Sequence, residues 1–152
     1  MRKRFTKFSN LFAKLDWNWH KLAVKEMAKY ELNSAHAVYL HALYDAGQAG
    51  VTAAELAKLC EKNKGDVSRM VAILIRKGLV KKVAMGRNMY RAKLVLTEEG
   101  ISAAEQVQQR AEVAVELAGE GLSNEEKDTF LKVLEVITAN LQKLNKDGIP
   151  HL

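Results

Sequence analysis

One cysteine and one proline in 152 residues are the most conspicuous shortages of this chain. A single thiol cannot close an internal disulfide, and no CxxC pair exists to hold a metal or run redox chemistry. Cys60 also falls at an apolar position of its segment, which favours a buried, inert thiol. The one proline, Pro150, lies in the tail. No repeat, low-complexity run or interdomain linker divides what precedes it. The basic start Met1-Arg2-Lys3-Arg4 is followed by no apolar run long enough for a signal peptide or a membrane span, so a cytoplasmic location is expected. Also missing are GxxxxGK[ST], GxSxG and HExxH, which leaves an enzyme without a phosphate loop, a nucleophile elbow or a zinc helix. His36 and His41, five residues apart, do not share a helical face, and no metal or other cofactor is expected.

The composition that remains suits a folded domain with a polyanionic partner. With 48% hydrophobic residues the chain can bury a core, and its length is that of about one domain. The net charge is +6, with a pI near 9.4. Nucleic acid and a membrane surface are the two polyanions to consider. A membrane-surface protein would carry its charge on an amphipathic helix. Here the charge gathers elsewhere: between Glu61 and Lys93 there are ten basic residues and two acidic ones, a balance of +8 that exceeds the whole chain's. Nucleic acid is the better partner.

The segment holding that charge reads as helix, turn, helix and hairpin. Thr52 and Glu55 form a capping box that starts a short helix with Leu56, Ala57 and Cys60 on one face. Asn63 is a good cap for a second helix, whose apolar face is Val67, Met70, Val71 and Leu74. Lys64, Gly65, Asp66, Ser68 and Arg69 lie near its N-terminus on the polar side, placed to meet base edges or phosphates if the helix enters a major groove. Asp66 also suits a first-turn role that stabilises the helix. Gly78 stops this helix. Two strands follow, turning between Met85 and Asn88 with freedom from Gly86. In the second strand Tyr90, Ala92, Leu94 and Leu96 alternate with Arg91, Lys93 and Val95, one face apolar and the other mostly basic. Arg87 and Arg91 are candidates for a minor groove.

The flanking segments are helical and apolar on one side. Phe5, Phe8, Leu11, Phe12, Leu15, Trp19 and Leu22 recur at three- and four-residue steps in a helix running to about Tyr30. Ser34 is expected to cap the next helix, with Val38, Leu43 and Tyr44 inward, until Gly47 and Gly50 break it. Thr97 caps a long helix to about Leu117, ended by Gly119 and Gly121, and Ser123 with Glu126 boxes the last one. That last helix carries the heptad stripe Phe130, Leu134, Ile137, Leu141 and Leu144. From Glu98 to Asp128 there are nine acidic and two basic residues, an acidic body that DNA would avoid.

The run from Asn63 through Gly78-Leu79-Val80, the wing after it and Leu96-Thr97-Glu98-Glu99-Gly100 resemble the MarR (multiple antibiotic resistance regulator) type of winged helix-turn-helix transcription regulator. The resemblance covers most of the chain with two departures. Glu61-Lys62 stands where the family commonly has Gly-Leu, and Asn88 and Tyr90 stand where it usually has Asp-x-Arg in the wing. It implies a mainly α, winged-helix fold of one MarR-like domain, 1–152. Residues 34–97 would form the DNA-binding part, and 5–30 and 98–146 the dimerisation helices. It further implies a homodimer on a pseudo-palindromic operator in double-stranded DNA, most often as a repressor. The recognition-helix contacts would be Lys64, Gly65, Asp66, Ser68 and Arg69, and the wing contacts Arg87, Asn88 and Arg91. Family members often bind small phenolic or carboxylate effectors between the first helix and the wing domain, which makes Trp17, Trp19 and His20 the candidate effector contacts, with core and dimer packing as their plainer role. The rival is a winged-helix module that binds protein, for which a basic recognition helix and wing have no use.

Overall fold

A computed structural model describes residues 2–85 and 88–150, apart from the side chains of residues 2, 85 and 88–91. The described elements run α1 (Arg2–Ala28), α2 (Ala35–Ala46), a 3-10 turn (Gly47–Ala49), α3 (Ala53–Leu59), α4 (Lys64–Arg76), β1 (Val80–Met85), β2 (Asn88–Leu96), α5 (Glu98–Ala118) and α6 (Asn124–Asp147). This is a mainly helical winged helix with one two-stranded antiparallel sheet. The chain forms two compact units, residues 1–111 and 112–152, with the boundary inside α5.

Local chemistry sets most helix starts. Thr52 and Glu55 close a reciprocal capping box, the Thr52 amide donating to the Glu55 carboxylate at 2.7 Å and the Glu55 amide to the Thr52 hydroxyl at 3.2 Å. Ser123 and Glu126 repeat this at α6, at 2.8 and 3.2 Å. At α2 the expectation needs correcting. Ser34 occupies the cap position but its hydroxyl caps nothing and lies 3.5 Å from His20 Nδ1. The Asn33 amide is met instead by His36 Nδ1 at 3.2 Å. His36 thus takes the part that a glutamate plays in a capping box, from inside the core.

The core of the first unit joins Met27, Leu32, Tyr39, Leu40, Leu43, Leu56, Val67, Val71, Leu74, Leu94 and Leu96. The inner face of α2 is His36, Tyr39, Leu40 and Leu43, at helical steps of three and four. Val38, expected inside, is about half exposed. The pattern was hidden because two of the four inward residues are polar by type. The second strand also departs from simple alternation, since Leu94, Val95 and Leu96 are all buried. Gly50 explains this. At φ +61° it brings its backbone so close that a Cβ there would lie 2.6 Å from Val95 Cγ1. Next to it Val51 forms a β-bridge with Leu94. The turn after α2 therefore roofs the sheet face that the pattern assigned to solvent.

The end of the wing is bound to the start of α5. Thr97 accepts from the Gly100 amide at 3.0 Å, donates its hydroxyl to the Gly78 carbonyl at 2.6 Å, and its own amide donates to the Leu79 carbonyl at 3.0 Å. A Cβ on Gly100 would fall 1.9 Å from the Leu79 oxygen, so only glycine permits this approach. Tyr30 to Gln106 at 3.0 Å, Tyr44 to Glu105 at 3.1 Å and Arg110 to Glu26 at 3.4 Å attach α5 to α1 and α2 within the first unit.

Candidate nucleic-acid interface

The site begins at the turn between α3 and α4. The Glu61 and Lys62 amides donate to the Lys58 and Ala57 carbonyls, closing α3 with a Schellman turn that puts Glu61 at φ +51°. Asn63 then caps α4, its Oδ1 accepting from the Asp66 amide at 2.9 Å. Val67, Val71 and Leu74 lock the helix into the core. What this leaves outward in the first turns is Lys64, Gly65, Ser68 and Arg69, all exposed, with Ala72 and Arg76 behind them. Gly65 has only the Asn63 side chain close to where a Cβ would stand, so the backbone lies open on its outer side.

Asp66 is the exception among the five. It is half-buried, accepts from Asn63 Nδ2 at 2.7 Å, and is ion-paired with Arg69. The carboxylate is thus engaged in holding the first turn and steering the Arg69 guanidinium, three-quarters of whose side chain stays exposed.

On the hairpin, Val80 faces Leu96, Lys81 faces Val95, Lys82 faces Leu94 and Val83 faces Lys93. Lys81, Lys82, Val83 and Ala84 are all exposed. Successive strand residues point to opposite faces, so four exposed in a row mean that this part of the hairpin stands clear of the body on both sides. Lys81 and Lys82, with Lys62 before the α4 cap, extend the basic surface beyond the residues nominated from the sequence. The signal for them was two adjacent lysines in a strand. Arg87 and the turn residue Gly86 lie outside the described residues, and of Asn88 and Arg91 only their backbone in β2 is described.

Trp17, Trp19 and His20 lie exposed along the middle of α1. The Lys21 ammonium sits 4.1 Å from the centre of the Trp17 ring, a cation–π contact. Trp19 continues the line of Phe8, Phe12 and Leu15. None of the three lines the depression of about 430 Å3 described in this unit, which is formed by Tyr30, Leu79, Glu98, Glu99, Ser102, Ala103 and Gln106. Cys60 is buried, and burial pushes its thiol up, with Lys62 pulling the other way. Among the described residues no group of three His, Cys, Asp or Glu side chains is placed to hold a metal ion, and no helix is long and apolar enough to cross a membrane.

A capped recognition-type helix, braced by a shorter helix and flanked by a basic hairpin, defines a winged helix-turn-helix. Residues 30–86 match the model of the MarR family. The fold is that of the MarR-type regulators. A MarR family transcription regulator of 18% identity superposes with a TM-score of 0.84, over 96% of this chain and 95% of that one. MepR of S. aureus in complex with DNA is 22% identical, with a TM-score of 0.77 over 88% and 96%. The same protein bound to ethidium bromide gives 0.60, at 22% identity over 88% and 96%. No curated protein matches the sequence.

Proposed function

We propose that this chain is a sequence-specific, DNA-binding transcription regulator of the MarR type, acting in the cytoplasm as a homodimer on a pseudo-palindromic operator, as a repressor. It works by binding and not by catalysis. The observation that carries the reading is the first two turns of α4, where Lys64, Gly65, Ser68 and Arg69 are turned outward by a cap on one side and a buried stripe on the other. Lys64 and Arg69 offer the donors that guanine or phosphate oxygens accept, Ser68 serves either partner, and Gly65 admits a close backbone approach. Asp66 acts indirectly by orienting Arg69. Arg87, Asn88 and Arg91 of the wing, joined by Lys81 and Lys82, supply the minor-groove and phosphate contacts. The likeness in fold to a regulator solved with DNA supports this.

Two copies are required because one recognition helix spans too few base pairs to select a site in a genome. Leu11, Phe12, Leu15 and Trp19 on α1 and Phe130, Leu141 and Leu144 on α6 are exposed, and such stripes exceed what a monomer leaves uncovered. Their pairing about a two-fold axis would hold the recognition helices about 34 Å apart, one turn of DNA. We further propose an aromatic or carboxylate effector beside Trp17, Trp19 and His20; that a protein of like fold, MepR, is solved with ethidium bromide supports small-molecule binding as such. Selection of bound fragments from random duplex DNA tests the whole reading. A palindrome-like motif should emerge, change at defined positions with Lys64→Ala or Ser68→Ala, and fade when the right aromatic acid is added. Recovery of unselected sequence by the wild type would overturn it.

A further inference from the structure

The end of α1 is closed by the same device as the end of α3. The Leu32 amide donates to the Met27 carbonyl at 3.1 Å and the Glu31 amide to the Ala28 carbonyl at 3.0 Å, a Schellman turn that puts Glu31 at φ +55°. Glycine is the ordinary residue at that place, because a Cβ is strained there. Of the positive-φ positions among the described residues, all but Glu31 and Glu61 are glycine. A glutamate kept at a strained position points to work for its side chain.

That side chain reaches α4. The Lys77 ammonium donates to the Glu31 carboxylate across 46 residues of sequence, and this hydrogen bond pulls the Glu31 carboxyl below its ordinary value. Lys77 is the residue that ends α4, its amide donating to the Ile73 carbonyl at 2.9 Å. Only 33% of its side chain is exposed, against 75% for Arg69 near the other end of the helix. The buried stripe of α4 stops at Leu74, and residues 75–78 are all exposed, so the core does not hold this end of the helix. The turn joining α1 to α2 is itself fixed, since Leu32 is buried and the Tyr30 hydroxyl donates to Gln106 of α5 at 3.0 Å. A cation at a helix C-terminus also complements the dipole, but it would do so without Glu31.

We propose that Glu31 is a positioning residue for DNA binding: through its ion pair with Lys77 it ties the C-terminal end of α4 to the turn between α1 and α2, and so sets the angle at which Lys64, Ser68 and Arg69 meet the duplex. The inference rests on the reading of α4 as a recognition helix and adds a tie at its far end. Lys77 is thereby withdrawn from the basic surface, because its charge is matched by Glu31, and it contacts no phosphate. A helix held at both ends enters the groove already oriented, and this pre-organisation raises affinity for the correct site. Random duplex, bound mainly through its phosphates, gains little from it.

The test compares affinity for the selected operator with affinity for random duplex in Glu31→Gln, Lys77→Met, the two changes combined, and Glu31→Gly, with melting temperature measured alongside. A surface pair of this kind contributes about twofold to fivefold, and a dimer holds two, so each variant should bind the operator about tenfold more weakly while its grip on random duplex is unchanged. The combined variant should be no weaker than either single change, because both remove one contact. Glu31→Gly is the most telling arm, since it relieves the strain and breaks the pair together. It should melt at or above the wild-type temperature and still bind the operator about tenfold more weakly, a split that a purely stabilising pair would not produce. Operator binding at wild-type strength in Glu31→Gly and Glu31→Gln overturns the proposal. So do losses that add in the combined variant, which would mean that the two residues act separately. Equal losses on operator and random duplex, with a shallower salt slope in Lys77→Met alone, would make Lys77 a phosphate contact and overturn it as well. A wild type that selects no sequence removes the DNA reading itself.

Discussion

Glu61 holds φ at +51° in the turn that delivers the chain to α4, a conformation costing a residue with a Cβ about 1–2 kcal/mol. The turn is retained because the Lys62 and Glu61 amides find the last carbonyls of α3 there. Glu61→Gly should therefore stabilise the protein by about 1 kcal/mol in urea unfolding, with no loss of DNA binding. A destabilised variant would mean that the glutamate side chain has a role its exposed position does not suggest. His36 makes the second prediction at this scale. Burial lowers its pKa from 6.5, partly opposed by the Asn33 backbone, and its Nε2 has no partner. Since the unfolded chain takes up the proton first, stability is intact above about pH 6.5 and is lost as the pH falls below it. Melting temperature should drop between pH 7 and 5.5 in wild type and stay level in His36→Gln, which keeps an acceptor for Asn33. Parallel curves for the two proteins would contradict this.

The junction of wing and α5 is the element most sensitive to a single methyl group. Gly100→Ala places a carbon 1.9 Å from the Leu79 oxygen and must move backbone, so a loss of about 2–3 kcal/mol is expected in denaturant titration. A loss under about 0.5 kcal/mol would show that α5 can slide away from the wing at little cost. Much of this architecture was legible in the sequence, because capping boxes, helical periodicity and charge clustering are local signals: Thr52 with Glu55, Asn63, Thr97 and Ser123 with Glu126 all act as caps where their spacing put them. What escaped was tertiary. Val95 is buried by the close approach of Gly50, and His36 turns into the core while its ring meets the Asn33 amide. Neither of these leaves a trace in periodicity. Between α4 and the wing the roles should separate: Ser68→Ala or Lys64→Ala should change which operator bases are preferred, whereas Arg87→Ala should weaken all duplexes, most on A·T-rich flanks. Equal losses on specific and random duplex for every variant would mean that α4 does not read bases.

At the scale of the whole molecule, the homodimer proposed above uses the exposed stripes of the terminal helices to join two copies, so that two basic faces meet one duplex. Leu141→Glu should convert the dimer to a less stable monomer, at about 3–5 kcal/mol if the site is wholly buried in the pair, while leaving every DNA-contacting side chain in place. A variant that sediments as a dimer would remove α6 from the interface. The most direct test of the central claim is the affinity of the wild-type protein for its selected operator as salt is raised from 50 to 200 mM. Each neutralised phosphate adds about −0.9 to the log–log slope, so six or more contacts per dimer predict a loss of about a thousandfold. An affinity that does not change with salt would contradict the account.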